Sequence, residues 1–96
     1  MKQKTGYKIG EVLDRRTNKR SEKWSYRIGR ECLIDDRTVQ VGLPLIVEYP
    51  TRCSFFRTSL VEEIEQTDRG VWITTKNSIY RFDNLSTLDA EAKRGM

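Results

Sequence analysis

Hydrophobic residues recur at every second position along much of this chain, which is the period of strands with one buried face. Residues 6–13 set Tyr7, Ile9 and Leu13 on one face and Val12 on the other, predicting a first strand. Residues 24–35 carry Trp24, Tyr26 and Ile28 at the same period, then Cys32 and Ile34 after Gly29, with Leu33 opposite. One long strand bent at a glycine bulge, or two strands joined there, accounts for the change of phase. Val39 and Val41 predict a short strand, broken by Gly42 and Pro44. Leu45-Ile46-Val47-Glu48-Tyr49, stopped by Pro50, is a nearly continuous apolar run of the kind buried on both faces. Residues 51–58 read as a connection, and Leu60, Val61 and Ile64 as a strand leading to the hairpin turn Asp68-Arg69-Gly70. Two further strands, 71–75 and 78–82, flank the tight turn Lys76-Asn77.

Two stretches depart from this pattern. Residues 14–23 contain no apolar side chain and predict an exposed, mobile basic loop, since nothing in them gains from burial. Residues 86–94 change to helical character, with Ser86 and Asp89 spaced as a capping box and Gly95 where a cap belongs. A helix of about nine residues is marginal unless Leu85 and Leu88 dock on the rest. The expected fold is therefore a single domain over residues 1–96, mainly all-β. It is a small antiparallel barrel or sandwich of six to seven short strands, Sm-like or OB-like in size, with a short C-terminal helix. Such a fold hosts many functions and implies none.

Composition narrows the chemistry. With 96 residues, 36% hydrophobic and 33% charged, the chain suits one domain with a thin core. No histidine is present, which removes the usual general base, the usual partner of a nucleophilic Ser or Cys, and the commonest transition-metal ligand. Cys32 and Cys53 are too few for a disulfide framework and read as reduced, half-buried thiols. No apolar run is long enough for a membrane span, and Met1-Lys2-Gln3-Lys4 leads into none that suits a signal peptide. A cytoplasmic protein without membrane partner, cofactor or metal is the expectation. The formal charge is +4 and unevenly spread: residues 1–30 hold ten Lys and Arg against Glu11, Asp14 and Glu22, whereas the remainder holds eight against eleven acids. A basic segment of this kind concentrates anions without choosing among them.

Three constellations carry candidate chemistry. In the first, Arg15, Arg16, Lys19, Arg20 and Lys23 lead directly into Trp24 and Tyr26, a combination suited to a phosphate backbone with stacked bases. The competing reading packs both rings in the core and leaves the loop as a solvated tip. In the second, Arg52-Cys53-Ser54-Phe55-Phe56-Arg57-Thr58-Ser59 joins two guanidiniums, three hydroxyls and two rings. Arginine forks grip phosphate bidentately and hydroxyls add neutral donors, so Arg52, Phe56, Arg57, Thr58 and Ser59 are candidate ligand contacts, with Asn77 and Ser78 from the neighbouring turn. The alternative is an edge loop whose rings cover one end of the barrel. The third, Asp35-Asp36 with Glu62-Glu63-Glu65, offers carboxylates for Mg²⁺ or acid–base work. Only Glu63 and Glu65 share a strand face, and Asp35-Asp36 reads as turn chemistry, so no catalytic residue is assigned and no enzyme is expected.

Arg57-Thr58-Ser59-Leu60-Val61-Glu62-Glu63-Ile64-Glu65, followed by Ile73-Thr74-Thr75-Lys76-Asn77-Ser78-Ile79-Tyr80, resembles a pattern near the end of small uncharacterised phage and prophage β-proteins. The resemblance implies a viral accessory setting, in which such proteins antagonise host defence by sequestering a nucleotide signal or occluding a nuclease. The residues and the resemblance together lead to a non-catalytic module binding an anionic nucleotide or nucleic acid. The alternative is a protein-binding inhibitor that blocks a host nuclease or other host protein, such as a host defence protein, through the acidic face from Glu62 to Asp68. A thin core and exposed strand edges favour a homo-oligomer.

Overall fold

The computed structural model describes residues 4–52 and 54–85. Six strands follow one another: β1 (Lys4–Asp14), β2 (Glu31–Asp35), β3 (Pro44–Tyr49), β4 (Ser54–Thr67), β5 (Gly70–Thr75) and β6 (Ser78–Asn84). Each pairs antiparallel with the next, and β6 pairs with β1, so the sheet closes into a barrel in simple meander order. The helix expected at 86–94 lies outside the described residues. Among the described residues no helix is long and apolar enough to cross a membrane.

Closure depends on β1. Its first half, from Lys4 to Lys8, pairs with β2, and Tyr7 to Asp14 pairs with β6, with a register shift between Ile9 and Glu11. The extra residue at this bulge brings both Ile9 and Val12 to the interior, fully buried, and leaves Leu13 half-buried. The alternation expected of this strand, with Val12 facing away from Ile9, is thus reversed beyond Gly10. Inside, Cys32, Ile34, Leu45, Val47, Val61, Val71 and Ile73 surround a row of rings. Tyr7, Phe82, Tyr80, Phe56 and Tyr49 follow one another at centroid separations of 5.9, 5.6, 6.0 and 5.6 Å.

Three strand expectations are corrected. Residues 24–28 form no strand: β2 pairs with β1 only as far as Lys8, the same edge beyond it is met by residues 19–21 and 29–30, and a 3-10 turn occupies Ser25–Arg27 between them. Val39 and Val41 form none either. A second 3-10 turn, Asp36–Thr38, precedes them, started by the Asp35 carboxylate, which accepts from Arg37 N–H, and Thr38 Oγ1 then accepts from Ile46 N–H at 3.1 Å. Residues 54–58, expected as connection, belong to β4 and pair with β3 from Tyr49↔Ser54 onward. The apolar run in β3 is buried on one face only: Leu45, Val47 and Tyr49 point inward, while Ile46 and Glu48 are half-exposed. The hairpins β4–β5 and β5–β6 fall where Asp68-Arg69-Gly70 and Lys76-Asn77 predict them. Because the barrel is closed, the edge argument for self-association does not apply.

Two packing consequences are measurable. A Cβ at Gly70 would lie 1.8 Å from the Phe82 carbonyl oxygen, which is backbone within a paired strand and has no room to yield. Gly70→Ala should therefore cost roughly 2–3 kcal/mol in urea unfolding. Gly42→Ala, with nothing within 4 Å of the added carbon, should cost about 1 kcal/mol from its positive φ alone. Burial pushes the Cys32 thiol up to about 12, so it stays protonated and unreactive. In a Cys53→Ser background, a thiol reagent at pH 8 should label nothing until denaturant is added; labelling of the native protein would contradict this packing.

Candidate anion-binding site

At one end of the barrel the chain leaves β1 through residues 15–30 and is tied back to it twice. Ser21 N–H donates to Val12 O at 2.8 Å, and Gly29 N–H donates to Ile9 O at 2.7 Å while Ile9 N–H donates to Arg30 O at 2.9 Å. Gly29 supports the return with a φ of +89°, a conformation cheap only for glycine. Between these ties, Trp24 N–H donates to the buried Ser21 hydroxyl at 3.0 Å, and the short 3-10 turn carries Arg27 over the mouth of the barrel.

Arg27 is the unusual residue of the molecule. Its side chain is buried, with only 8% of the residue exposed. The guanidinium lies 4.0 Å from the centroid of Trp24 and 3.7 Å from that of Phe56, and Nη1 donates to Tyr80 Oη at 2.8 Å. No carboxylate pairs with it among the described residues, and its Nε is buried without an acceptor. Desolvating such a charge costs several kcal/mol, and two desolvated cation–π contacts return about 2 kcal/mol each. The rings therefore make the charge tolerable without neutralising it. Burial is also the main cause that raises the Tyr80 phenol above its ordinary range, opposed by the charge of Arg27.

Arg27 lines a small cleft of about 180 Å³ together with Trp24, Arg57, Thr58, Ser59, Thr75, Asn77, Ser78 and Tyr80. Its floor is deep, since Arg27, Thr75, Ser78 and Tyr80 are all buried. The β5–β6 turn forms one wall and is held in place by five hydrogen bonds: Asn77 N–H donates to Ser59 Oγ at 3.1 Å, Ser78 N–H to Thr75 Oγ1 at 3.1 Å, Thr75 Oγ1 to Ser78 O at 2.9 Å, Lys76 N–H to Leu60 O at 3.0 Å and Arg15 N–H to Asn77 O at 3.2 Å. An outer cleft of about 370 Å³ adjoins it and shares Trp24, Asn77 and Ser78; Asp14, Arg15, Arg16, Ser21, Lys23 and Lys76 complete it. Across both clefts, six cations face one carboxylate.

The two constellations separated in sequence thus meet here. Arg57, Ser59, Asn77, Ser78, Trp24, Lys23 and Arg16 share one surface, and the Arg57 side chain has no partner among the described residues. Other candidates are engaged or elsewhere. Arg52 is exposed in the turn between β3 and β4 and lines neither cleft. Thr58 Oγ1 accepts from Leu45 N–H at 3.0 Å and donates to Ser59 O at 2.7 Å, holding the β3–β4 register shift. Phe56 is half-buried beneath Arg27, whereas its neighbour Phe55 is 65% exposed. Arg15 is bonded to Glu62 at 2.6 Å and to Thr75 O at 2.8 Å, and Arg20 grips Glu11 with two bonds of 3.0 Å. Lys19 is exposed outside both clefts. Trp24 is half-buried, faced by Arg27 and, at 4.8 Å, by the Lys23 ammonium.

Arg27, Lys76 and Tyr80 are the contributors that strand periodicity missed. One signal was present: Trp24 and Arg27 are three apart, as in a tight turn, and no acid stands between Glu22 and Glu31 to pair with the arginine. A larger concavity of about 570 Å³ lies at the far end of β5 and β6, around Asp68, Trp72, Arg81 and Asp83. Its lining also includes Arg69, and its Arg81 is bonded to Asp83 at 3.2 Å and to Gly10 O at 3.2 Å. Glu63 and Glu65 stand exposed on β4, away from both basic clefts.

The Arg20 pair separates structural from available charge. The hydrogen-bonded guanidinium holds the Glu11 carboxyl below its ordinary range, so the pair stabilises the fold above the normal carboxyl range and ceases to as pH falls through the lowered value. In Arg20→Ala, an NMR titration should find Glu11 moved back up, with the shifts of Arg57 and Asn77 unchanged; an unmoved Glu11 would refute the pairing. No family model, curated protein or solved structure matches the chain, and the site stands on its own geometry.

Proposed function

We propose that the protein is a non-catalytic module that captures a phosphorylated, nucleotide-like anion or nucleic acid in the clefts around Arg27 and Arg57. The observation that carries this reading is the buried guanidinium of Arg27, which has no counter-charge among the described residues and one N–H without an acceptor. A phosphoryl group in the cleft supplies the counter-charge, and charge-assisted bonds to arginine are the strong ones. Arg57, the Ser59 hydroxyl and the Asn77 amide stand on the same rim, while the inner cleft contains no carboxylate or thiol to act as a base. In the phage-type setting that the resemblance implies, such capture sequesters a host-defence nucleotide signal.

The second reading, a protein-binding inhibitor, draws on exposed apolar side chains: Val41, Leu43 and Leu60 are 65%, 40% and 48% exposed. They cluster, because Gly42 N–H bonds to Val61 O and Val61 N–H to Leu43 O. The same patch is the surface on which self-association, if it occurs, has apolar area to bury.

Calorimetry against cyclic dinucleotides, ADP-ribose derivatives and short single strands tests the first reading. Binding of at least one class is expected, weakened roughly 10- to 100-fold by Arg57→Ala, the loss of one or two charge-assisted bonds. For single strands, affinity should fall with salt at a log–log slope near −0.7 for each phosphate neutralised. Absence of heat from every probe overturns it. Salt-insensitive binding to a protein partner, lost on Leu60→Asp, would favour the second reading.

A further inference from the structure

The two clefts differ in depth as well as in charge. The inner one has a buried floor and admits a single phosphoryl-sized group at about 180 Å³, below the range of pockets that enclose whole small ligands. The outer one is larger and mostly exposed, and it presents Arg16, Lys23 and Lys76 as well as Arg15. The inner cleft has buried Arg27, Thr75, Ser78 and Tyr80 in its lining and meets the outer cleft along Trp24, Asn77 and Ser78. Its lining holds two guanidiniums and no carboxylate, a balance that suits the nearly two negative charges of a phosphomonoester at neutral pH better than the one of a diester. More cations lie beyond than one phosphate requires, and Tyr26, 56% exposed and 6.1 Å from Trp24, offers a ring face beside them.

From this we infer that the site reads the phosphorylated end of a single-stranded nucleic acid. The terminal phosphate enters the Arg27–Arg57 cleft, and the next phosphates lie along Lys23, Lys76 and Arg16. The inference rests on the anion-capture reading and adds to it the identity of the ligand's recognised end.

The test compares one short oligonucleotide with a 5′-phosphate, a 3′-phosphate or hydroxyls at both ends, by fluorescence anisotropy, with the matching 5′-mononucleotide as competitor. One phosphorylated form should bind about tenfold or more tightly than the hydroxyl form, as expected for charge-assisted bonds to one extra group. That advantage should shrink from pH 7.5 to pH 5.5 as the monoester takes up its second proton near pH 6. Arg57→Gln, an exposed position that the fold tolerates, should erase the preference. Lys23→Ala with Lys76→Ala should weaken all strands and keep the ratio. Equal binding of all three forms, weakened by Arg57→Gln, overturns end recognition and leaves anion capture standing. A mononucleotide competing as well as the strand also overturns it, and no binding of any strand or nucleotide overturns both.

Discussion

The backbone of Ile9 joins three parts of this molecule at one point. Its side chain is fully buried in the core, and its register partner across the sheet is Phe82 of β6. Its N–H and C=O are taken by Arg30 and Gly29 at the end of the segment that carries Arg27. The bulge beside it at Gly10 turns β1 from β2 toward β6. Added bulk at Gly10 would meet the ends of the Arg81 and Asp83 side chains within 2.7 Å, and the Arg81 guanidinium itself donates to Gly10 O. Barrel closure and the placement of the binding surface therefore depend on the same two residues.

From that anchorage follows the electrostatic character of the basic end. A guanidinium carried on a free loop would solvate itself. Here the returning segment is hydrogen-bonded to β1 on both sides, and Arg27 is pressed between Trp24 and Phe56, where water reaches little of it. The surroundings supply aromatic faces and a phenol rather than an acid. A positive charge at low local dielectric acts further and more strongly than one in water, so the cleft lined by Arg27 carries a positive potential before any rim residue contributes.

The net charge of the sequence describes this end poorly. Of the five cations in residues 14–23, Arg15 and Arg20 are paired with Glu62 and Glu11 and serve to hold the loop, Arg16 lies 4.0 Å from Asp14 with its side chain 90% exposed, and Lys19 lines neither cleft. What remains for a ligand is a smaller set brought from four places: the loop, the 3-10 turn, β4 and the β5–β6 turn. Exposed ion pairs contribute little to stability, and the larger effect of these two is to divide the basic residues into fastened and available ones.

Sequence alone determined the features in which each residue answers to its near neighbours. Alternation at period two marked β1 as far as Gly10, a continuous apolar run marked β3, and Asp68-Arg69-Gly70 and Lys76-Asn77 placed the last two hairpins, because turn geometry and side-chain patterning are set within a few residues. The gathering of Arg57, Ser59, Asn77 and Ser78 was legible for the same reason, as adjacent strands joined by a short turn. Tertiary structure decided the rest. Trp24, Tyr26 and Ile28 alternate like a strand, but the edge of β1 left open beyond Lys8 is met by residues 19–21 and 29–30 on either side of them. Whether Phe55 or Phe56 faces inward was settled by the register of β4 against β3. Arg27 meets Phe56 and Tyr80 across separations of 29 and 53 residues, and neither its burial nor its lack of a counter-charge has any local signature, because both come from groups that only the closed barrel brings together.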